Sequence, residues 1–365
     1  MSLSVLPRVL NFSSGPAIMP PSVIAATAAA IVDLEGSGIG LLEHSHRGPE
    51  FGAVLARTEA SIRQLAAVPD DYAVLFVTAG ATAHFTQIPR SFLPAGQTAD
   101  YCHTGVWSGK AIEAAKRFGE VHVACSSEAS KFNAIPTELT MSAAPRYVHF
   151  TSNNTIYGTQ WTAPPAVGDI ALVCDASSDI FSRPIDISRY ALLYAGAQKN
   201  LGPSGISLVI ARRSFLAGAA TGLAPLEDYR VFDQEKSMYN TPNTLGIFVI
   251  GQTVAWIAEQ GGLATIGERN RRKAAVLYDF LDGSTMWRAV ATQGSRSQMN
   301  VTFRASSPAL EDAFLAQAEH KGLAGLRGHR SVGGLRASIY NAFPEAGVHV
   351  LVAALANFES EHGHA

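Results

Sequence analysis

The segment IALVCD, from Ile170 to Asp175, constrains the fold more than any other. Its apolar residues occupy neighbouring rather than alternate positions, so both faces of the strand it forms must be covered. Runs of similar length recur at YAVLFV, YVHFT, ALLYA and ISLVIA, between segments such as GKAIEAAKRFG whose apolar residues keep helical spacing. The pattern predicts an α/β fold with a mostly parallel central sheet between helices, where ligands gather at the carboxyl ends of strands. After about Gly262 the texture changes. TIGERNRRKAAVLYDFL and PEAGVHVLVAALANFES read as helices, QMNVTF and GLRASIY as strands, which predicts a smaller α+β domain. The expected division is a large domain at 16–262 and a small one made of 1–15 and 263–365. No proline-rich or serine-rich linker separates them, so a shared interface and cleft are expected.

Composition narrows the function classes. With 47% hydrophobic and 16% charged residues, 365 residues suffice for a well-filled core. A net charge of −2 gives no bulk drive toward nucleic acid or an acidic membrane, so any cationic site must be local. The three cysteines, Cys102, Cys125 and Cys174, are widely spaced and odd in number, which suits a reducing compartment and predicts a cytoplasmic protein. The start, MSLSVLPRVLNFSSGP, lacks a secretory pattern, and no apolar run reaches the roughly 18 residues a membrane span needs.

Several residues are placed for chemistry, each with a plainer alternative. Asp175 ends an apolar strand, where an ionised carboxylate needs a cationic partner such as a protonated heterocyclic nitrogen; it can equally cap its own turn. Lys199, one of seven lysines, lies one strand later in AGAQKNLGPSG, where it is either an exposed turn residue or an amine for covalent chemistry beside Asp175. A Walker loop is disfavoured, because Asn200 follows the lysine and the upstream glycine spacing is absent. In VLFVTAGATAHF the N–H groups of Gly80, Ala81 and Thr82 open a helix and offer an anion site, or simply a turn. Trp107 follows another strand, as a stacking surface for a planar ring or as core. NTPNT, containing Asn240 and Thr241, precedes a further helix, with Asn240 as its cap in the plainer reading. His46 belongs to an HSH run, but no compact third or fourth metal ligand follows it, and no metal site is expected.

Taken in order, NFSSGPA, SHRG, NNTIYGTQW, DASSDIFS, AGAQKNLGPSG, YNTPNT and GHRSVGGLRASIYNA span nearly the whole chain. Together they resemble the phosphoserine aminotransferase family, class V pyridoxal-phosphate transaminases of fold type I. The resemblance implies that Lys199 bonds the cofactor covalently, Asp175 partners the pyridine nitrogen, Trp107 stacks on the ring and Thr155 reaches the ring hydroxyl. It implies that Gly80, Ala81, Thr82, Gln198, Asn240 and Thr241 hold the cofactor phosphate, the last two from the other subunit of a homodimer. On the substrate side it assigns Arg336 to the α-carboxylate, and His46, Arg47, His329 and Arg330 to a distal phosphate or to the side-chain carboxylate of glutamate. Arginine suits such oxyanions because its planar fork is permanently charged. The implied reaction is reversible transamination between L-glutamate and 3-phosphohydroxypyruvate. Some family members carry an arginine in the glycine-rich turn where Thr82 stands here, so the phosphate grip is expected to be weaker or differently arranged. The alternatives are another class V enzyme acting on an unphosphorylated small amino acid, and a non-catalytic protein on the same scaffold.

Overall fold

The computed structural model describes residues 8–362. Seven strands form the central sheet, in the spatial order Tyr72–Val77, Ser207–Arg212, Leu192–Gly196, Leu172–Asp175, Val148–Thr151, Thr98–His103, Glu120–Ser126. Every neighbouring pair is parallel except the two made by Ser207–Arg212, which runs antiparallel to both its neighbours. Alternate residues of one strand enter different cores. Tyr72, Val74 and Phe76 join one apolar cluster, whereas Ala73, Leu75 and Val77 join another. Leu172 and Cys174 divide from Val173 in the same way, which is why IALVCD shows no alternation.

Helices cover both faces. Pro49–Ala66 and Thr244–Glu259 bury Val54, Ile62, Ile247 and Val254 on one side; Ala81–Phe92 and Val106–Ala115 bury Phe85, Ile88, Ala111 and Ile112 on the other. The Thr244–Glu259 helix is capped by Asn243, whose side chain accepts from the Gly246 N–H at 2.8 Å, so the cap is Asn243 and not Asn240. The strand Thr98–His103 carries a buried acid, Asp100, that interrupts its apolar run. Asp100 is stabilised by Ser142, which donates through its N–H at 2.9 Å and its hydroxyl at 2.6 Å.

Beyond the central sheet, Arg288–Ala289, Asn300–Arg304 and Leu335–Ser338 form a three-stranded antiparallel sheet. Helices Gly262–Gly283, Pro308–His320 and Glu345–His362 pack with it around Trp287, Phe303, Phe314 and Phe358. Phe12 enters the same cluster, and the strand Leu10–Asn11 pairs in parallel with Leu323–Ala324. The Gly262–Gly283 helix belongs to both regions. Leu263 and Ile266 at its start pack in the large core, whereas Ala274, Leu277 and Leu281 pack in the other. Among the described residues no helix is long and apolar enough to cross a membrane.

Candidate active site

Five parallel strands end at one sheet edge, and their last residues and following loops supply the site. Asp175 is the last residue of its strand and is almost fully buried. One of its oxygens, Oδ1, accepts from the Ser177 N–H at 3.0 Å and the Ser177 hydroxyl at 2.6 Å. That turn is the plainer alternative of the sequence, and it uses one oxygen only; the other has no hydrogen-bond partner among the described residues. Burial pushes the Asp175 carboxyl above its ordinary value, while the Ser177 bonds and the charge of Lys199 oppose the shift. Asp179, four residues on, is buried too and receives the Ser152 hydroxyl and, at 3.0 Å, the Gln160 amide.

Lys199 follows the Leu192–Gly196 strand, and its Nζ donates to Thr155 Oγ1 at 2.8 Å. Nζ also lies 5.5 Å from the centre of the Trp107 ring. Burial lowers its pKa to about 8; Arg336 adds to the depression, while Asp175 and Asp179 resist it. The amine is therefore available in neutral form near physiological pH, unlike a solvated lysine. Room for its side chain depends on Gly15, since a Cβ there would stand 3.2 Å from Lys199 Cγ and the residue has φ +136°.

Arg336 lies on the Leu335–Ser338 strand and is buried. It donates to Ser14 Oγ at 2.7 Å and to the Thr155 carbonyl at 3.4 Å, and among the described residues it has no ion-pair partner. The charges of Arg336, Arg330 and Lys110, after burial, lower the basicity of His329. Neither Arg330 nor Lys110 has an acidic partner among the described residues, and Lys110 Nζ stands 4.9 Å from the Trp107 ring centre. Cations gathered without a carboxylate await an anionic ligand. Three buried polar atoms in this region also lack partners: Trp107 Nε1, Gln198 Oε1 and Arg336 Nε.

The turn after Tyr72–Val77 closes the far end of the site. Gly80 is the N-cap of the Ala81–Phe92 helix, with no side chain capping it, so the N–H groups of its first turn point outward. The turn abuts the Lys199 loop, because a Cβ on Gly196 would lie 3.4 Å from the Ala81 nitrogen and 2.8 Å from Gln198 Oε1. Thr82 is exposed there. The structure thus assembles Lys199, Asp175, Thr155, Trp107, Gln198, Arg336 and the Gly80–Thr82 turn, with His329 and Arg330 nearby.

Among the described residues none of His46, Arg47, Asn240 and Thr241 hydrogen-bonds to the Lys199 group, although Asn240 borders the Gly80–Thr82 turn. His46 and Arg47 lie just before the Pro49–Ala66 helix and make no side-chain contact with the Lys199 group among the described residues. Asn240 lines a surface hollow with Thr78, Ala79 and Ala83, and Thr241 is exposed. Among the described residues no group of three metal-ligating side chains occurs. Ser14, Gly15, Ser177 and Lys110 are functional neighbours that sequence reasoning missed. The only signals were SSGP at the start and the placing of Lys110 one helical turn after Trp107.

The family model for aminotransferase class V matches residues 9–351. A phosphoserine aminotransferase from Herpetosiphon aurantiacus is 48% identical over 358 residues, covering 97% of this chain and 99% of that protein. The chain belongs to the phosphoserine aminotransferases of class V. Solved members of this aminotransferase family share the fold throughout. The structure of phosphoserine aminotransferase from Bacillus circulans subsp. alkalophilus superposes with a TM-score of 0.95 at 43% identity, covering 97% of this chain and 99% of that one. The PLP-bound enzyme from Trichomonas vaginalis superposes with a TM-score of 0.91 at 32% identity, covering 96% and 100%.

Proposed function

We propose that the chain uses pyridoxal 5'-phosphate to exchange an amino group between L-glutamate and 3-phosphohydroxypyruvate, giving 2-oxoglutarate and O-phospho-L-serine in serine biosynthesis. The observation that carries this reading is the convergence of a half-buried lysine, a buried strand-end aspartate and an unpaired arginine around one space with orphaned polar atoms. These fit the cofactor. Asp175 offers its free oxygen to the ring nitrogen, Trp107 a stacking face, Thr155 a hydroxyl, and Gln198 with the Gly80–Thr82 amides a cradle for the phosphate.

Pyridoxal phosphate supplies an electron-accepting ring when bound. Asp175 holds a proton at the facing ring nitrogen, which keeps that ring electron-poor. Lys199, whose pKa is lowered to about 8 by burial, would serve as the base for the proton on the substrate α-carbon. Arg336 receives the α-carboxylate and orients the Cα–H bond toward Nζ. His329 and Arg330 face the distal anion; an anion bound there raises the His329 pKa, because it offsets the cations that lower it.

A homodimer with shared sites is part of the proposal. Ile24, Ile31, Val32, Ile39 and Leu42 are exposed apolar residues in the segment leading to His46 and Arg47, and exposed Tyr239 precedes Asn240 and Thr241. Exposed apolar side chains in the segments that carry these four residues suit a second copy. The division into domains at 16–262 and at 1–15 with 263–365 is supported by the apolar cluster that Phe12 shares with residues from Ala274 onward. A cytoplasmic setting is supported by three cysteines that are all free and buried.

The test compares amino acceptors with and without the phosphate. Efficient turnover of 3-phosphohydroxypyruvate and weak turnover of pyruvate or glyoxylate is the expected result; the reverse sinks the substrate assignment. Arg330→Ala should raise KM for the phosphorylated acceptor roughly ten- to a hundredfold and leave pyruvate unaffected. Exposed Thr82, a neutral residue in the phosphate-facing turn, is the one observation that favours a class V enzyme for unphosphorylated substrates.

A further inference from the structure

A buried polar bridge begins at Asn200, the residue after Lys199. Three consecutive carbonyls, of Ile180, Phe181 and Ser182, each receive a different asparagine amide: Asn200 Nδ2, Asn341 Nδ2 and Asn270 Nδ2, all at 2.8 Å. The asparagines also hold one another. The Asn341 N–H donates to Asn200 Oδ1 at 3.0 Å, and Asn270 Nδ2 donates to Asn341 Oδ1 at 2.8 Å. All three are buried, and Asn270 commits its amide nitrogen to two acceptors while its Oδ1 has none. The middle carbonyl belongs to Phe181, whose φ of 54° is a left-handed conformation that a bulky residue keeps only when its surroundings hold it. One helical turn beyond Asn270, Lys273 Nζ donates to the carbonyls of Ile339, Tyr340 and Phe343 at 3.0, 2.7 and 3.2 Å, fixing the loop on both sides of Asn341.

Each branch of the bridge leads to the site. Asn200 adjoins Lys199, the Ile180–Ser182 turn follows Asp175 by five residues, and Asn341 follows Arg336 by five. Tyr340, next to Asn341, donates to the Ser14 carbonyl at 2.7 Å, and the Ser14 hydroxyl accepts from Arg336. Apolar packing between the two core clusters is non-directional and tolerates sliding, whereas three hydrogen bonds to one turn and two between the asparagines define a single register. We propose that Asn200, Asn341 and Asn270 are positioning residues that set the distance between Lys199 and Arg336, and so place the substrate carboxylate relative to the amine that moves the proton. The inference rests on the transaminase reading with Arg336 as the carboxylate grip.

The experiment uses the full chain loaded with pyridoxal phosphate and compares Asn341→Ala and Asn270→Ala with Ser284→Ala. Ser284 is a control because its part-buried hydrogen bonds, to Glu359 at 2.7 Å and from the Trp287 N–H at 2.8 Å, join two elements of the small domain and involve none of the bridge or site residues. In the asparagine variants KM for glutamate and Kd for succinate, a non-reactive dicarboxylate read by calorimetry, should both rise on the order of tenfold, and kcat should fall by at least as much. Borohydride trapping of cofactor on Lys199 should be unchanged. If Asn341→Ala does not fold, Asn270→Ala decides, since it leaves the Asn341 amide on the Phe181 carbonyl. Glutamate KM and succinate Kd within about twofold of wild type in the folded variants overturn the proposal, as does an equal rise in a Ser284→Ala protein of matched thermal midpoint. Failure of the parent reading looks different: wild type then traps no cofactor, or Arg336→Ala leaves glutamate KM unchanged.

Discussion

Lys199 shows how burial converts an ordinary side chain into a reactive one. Its pKa is lowered to about 8, so the neutral amine is abundant above that pH and scarce below it. The rate at which apo protein captures added pyridoxal phosphate should therefore rise through pH 8 and level off above it, measured by stopped-flow absorbance. Asp175 resists this depression, so Asp175→Asn should move the midpoint of that profile to lower pH. The same variant separates activity from stability. Because burial raises the folded pKa of Asp175 above its unfolded value, ionisation costs the fold stability as pH rises through that range. At pH 7 apo Asp175→Asn should thus melt no lower than wild type, while its transaminase activity collapses. A lower melting point would show that the carboxylate is held mainly by its pairing with Lys199.

At the scale of elements, the site depends on a join between the large sheet's loops and the small sheet. The turn in the hairpin of Asn153–Asn154 with Thr159–Gln160 places Gly158 against the strand Asn300–Arg304. A Cβ on Gly158 would meet the Asn300 carbonyl at 2.9 Å and Thr302 Oγ1 at 2.5 Å, and its φ of +71° favours glycine. Gly158→Ala should destabilise the chain by about 2–4 kcal/mol, read by urea unfolding. Since Thr155 sits in the same hairpin and touches Lys199, activity should fall further than the unfolded fraction alone accounts for.

For the whole molecule, the lack of any hydrogen bond, among the described residues, from His46, Arg47, Asn240 or Thr241 to the Lys199 group makes assembly a functional question. If sites are shared, Lys199→Ala and Arg47→Ala homodimers are each nearly inactive, yet a mixed dimer contains one site with both residues intact. Unfolding the two variants together and refolding them in equal amounts should restore about a quarter of wild-type activity, as random pairing puts half the chains in mixed dimers. No recovery, with mixed dimers demonstrated by mass, would place Arg47 in its own protomer's site or outside it.

Much of the large sheet was legible because strands buried on both faces must be apolar at successive positions, and each such run stands out locally. Asp175 and Lys199 were visible as polar residues at the ends of those runs, and their roles came into view with the order of motifs around them. Other features leave no local trace. The pairing of Asp100, buried within the strand that precedes Trp107, with Ser142 over forty residues away is one of them. The antiparallel direction of Ser207–Arg212 has no signature in an apolar run that is buried on both faces. The depressed pKa of Lys199, the unpaired state of Arg336 and the asparagine bridge required three dimensions as well. Periodicity and composition are local properties and sufficed for the kind of fold and the chemical class of its groups. Distance, desolvation and hydrogen-bond partnership arise between segments remote in the chain, so the tertiary structure alone decided which of those groups meet and in what protonation state.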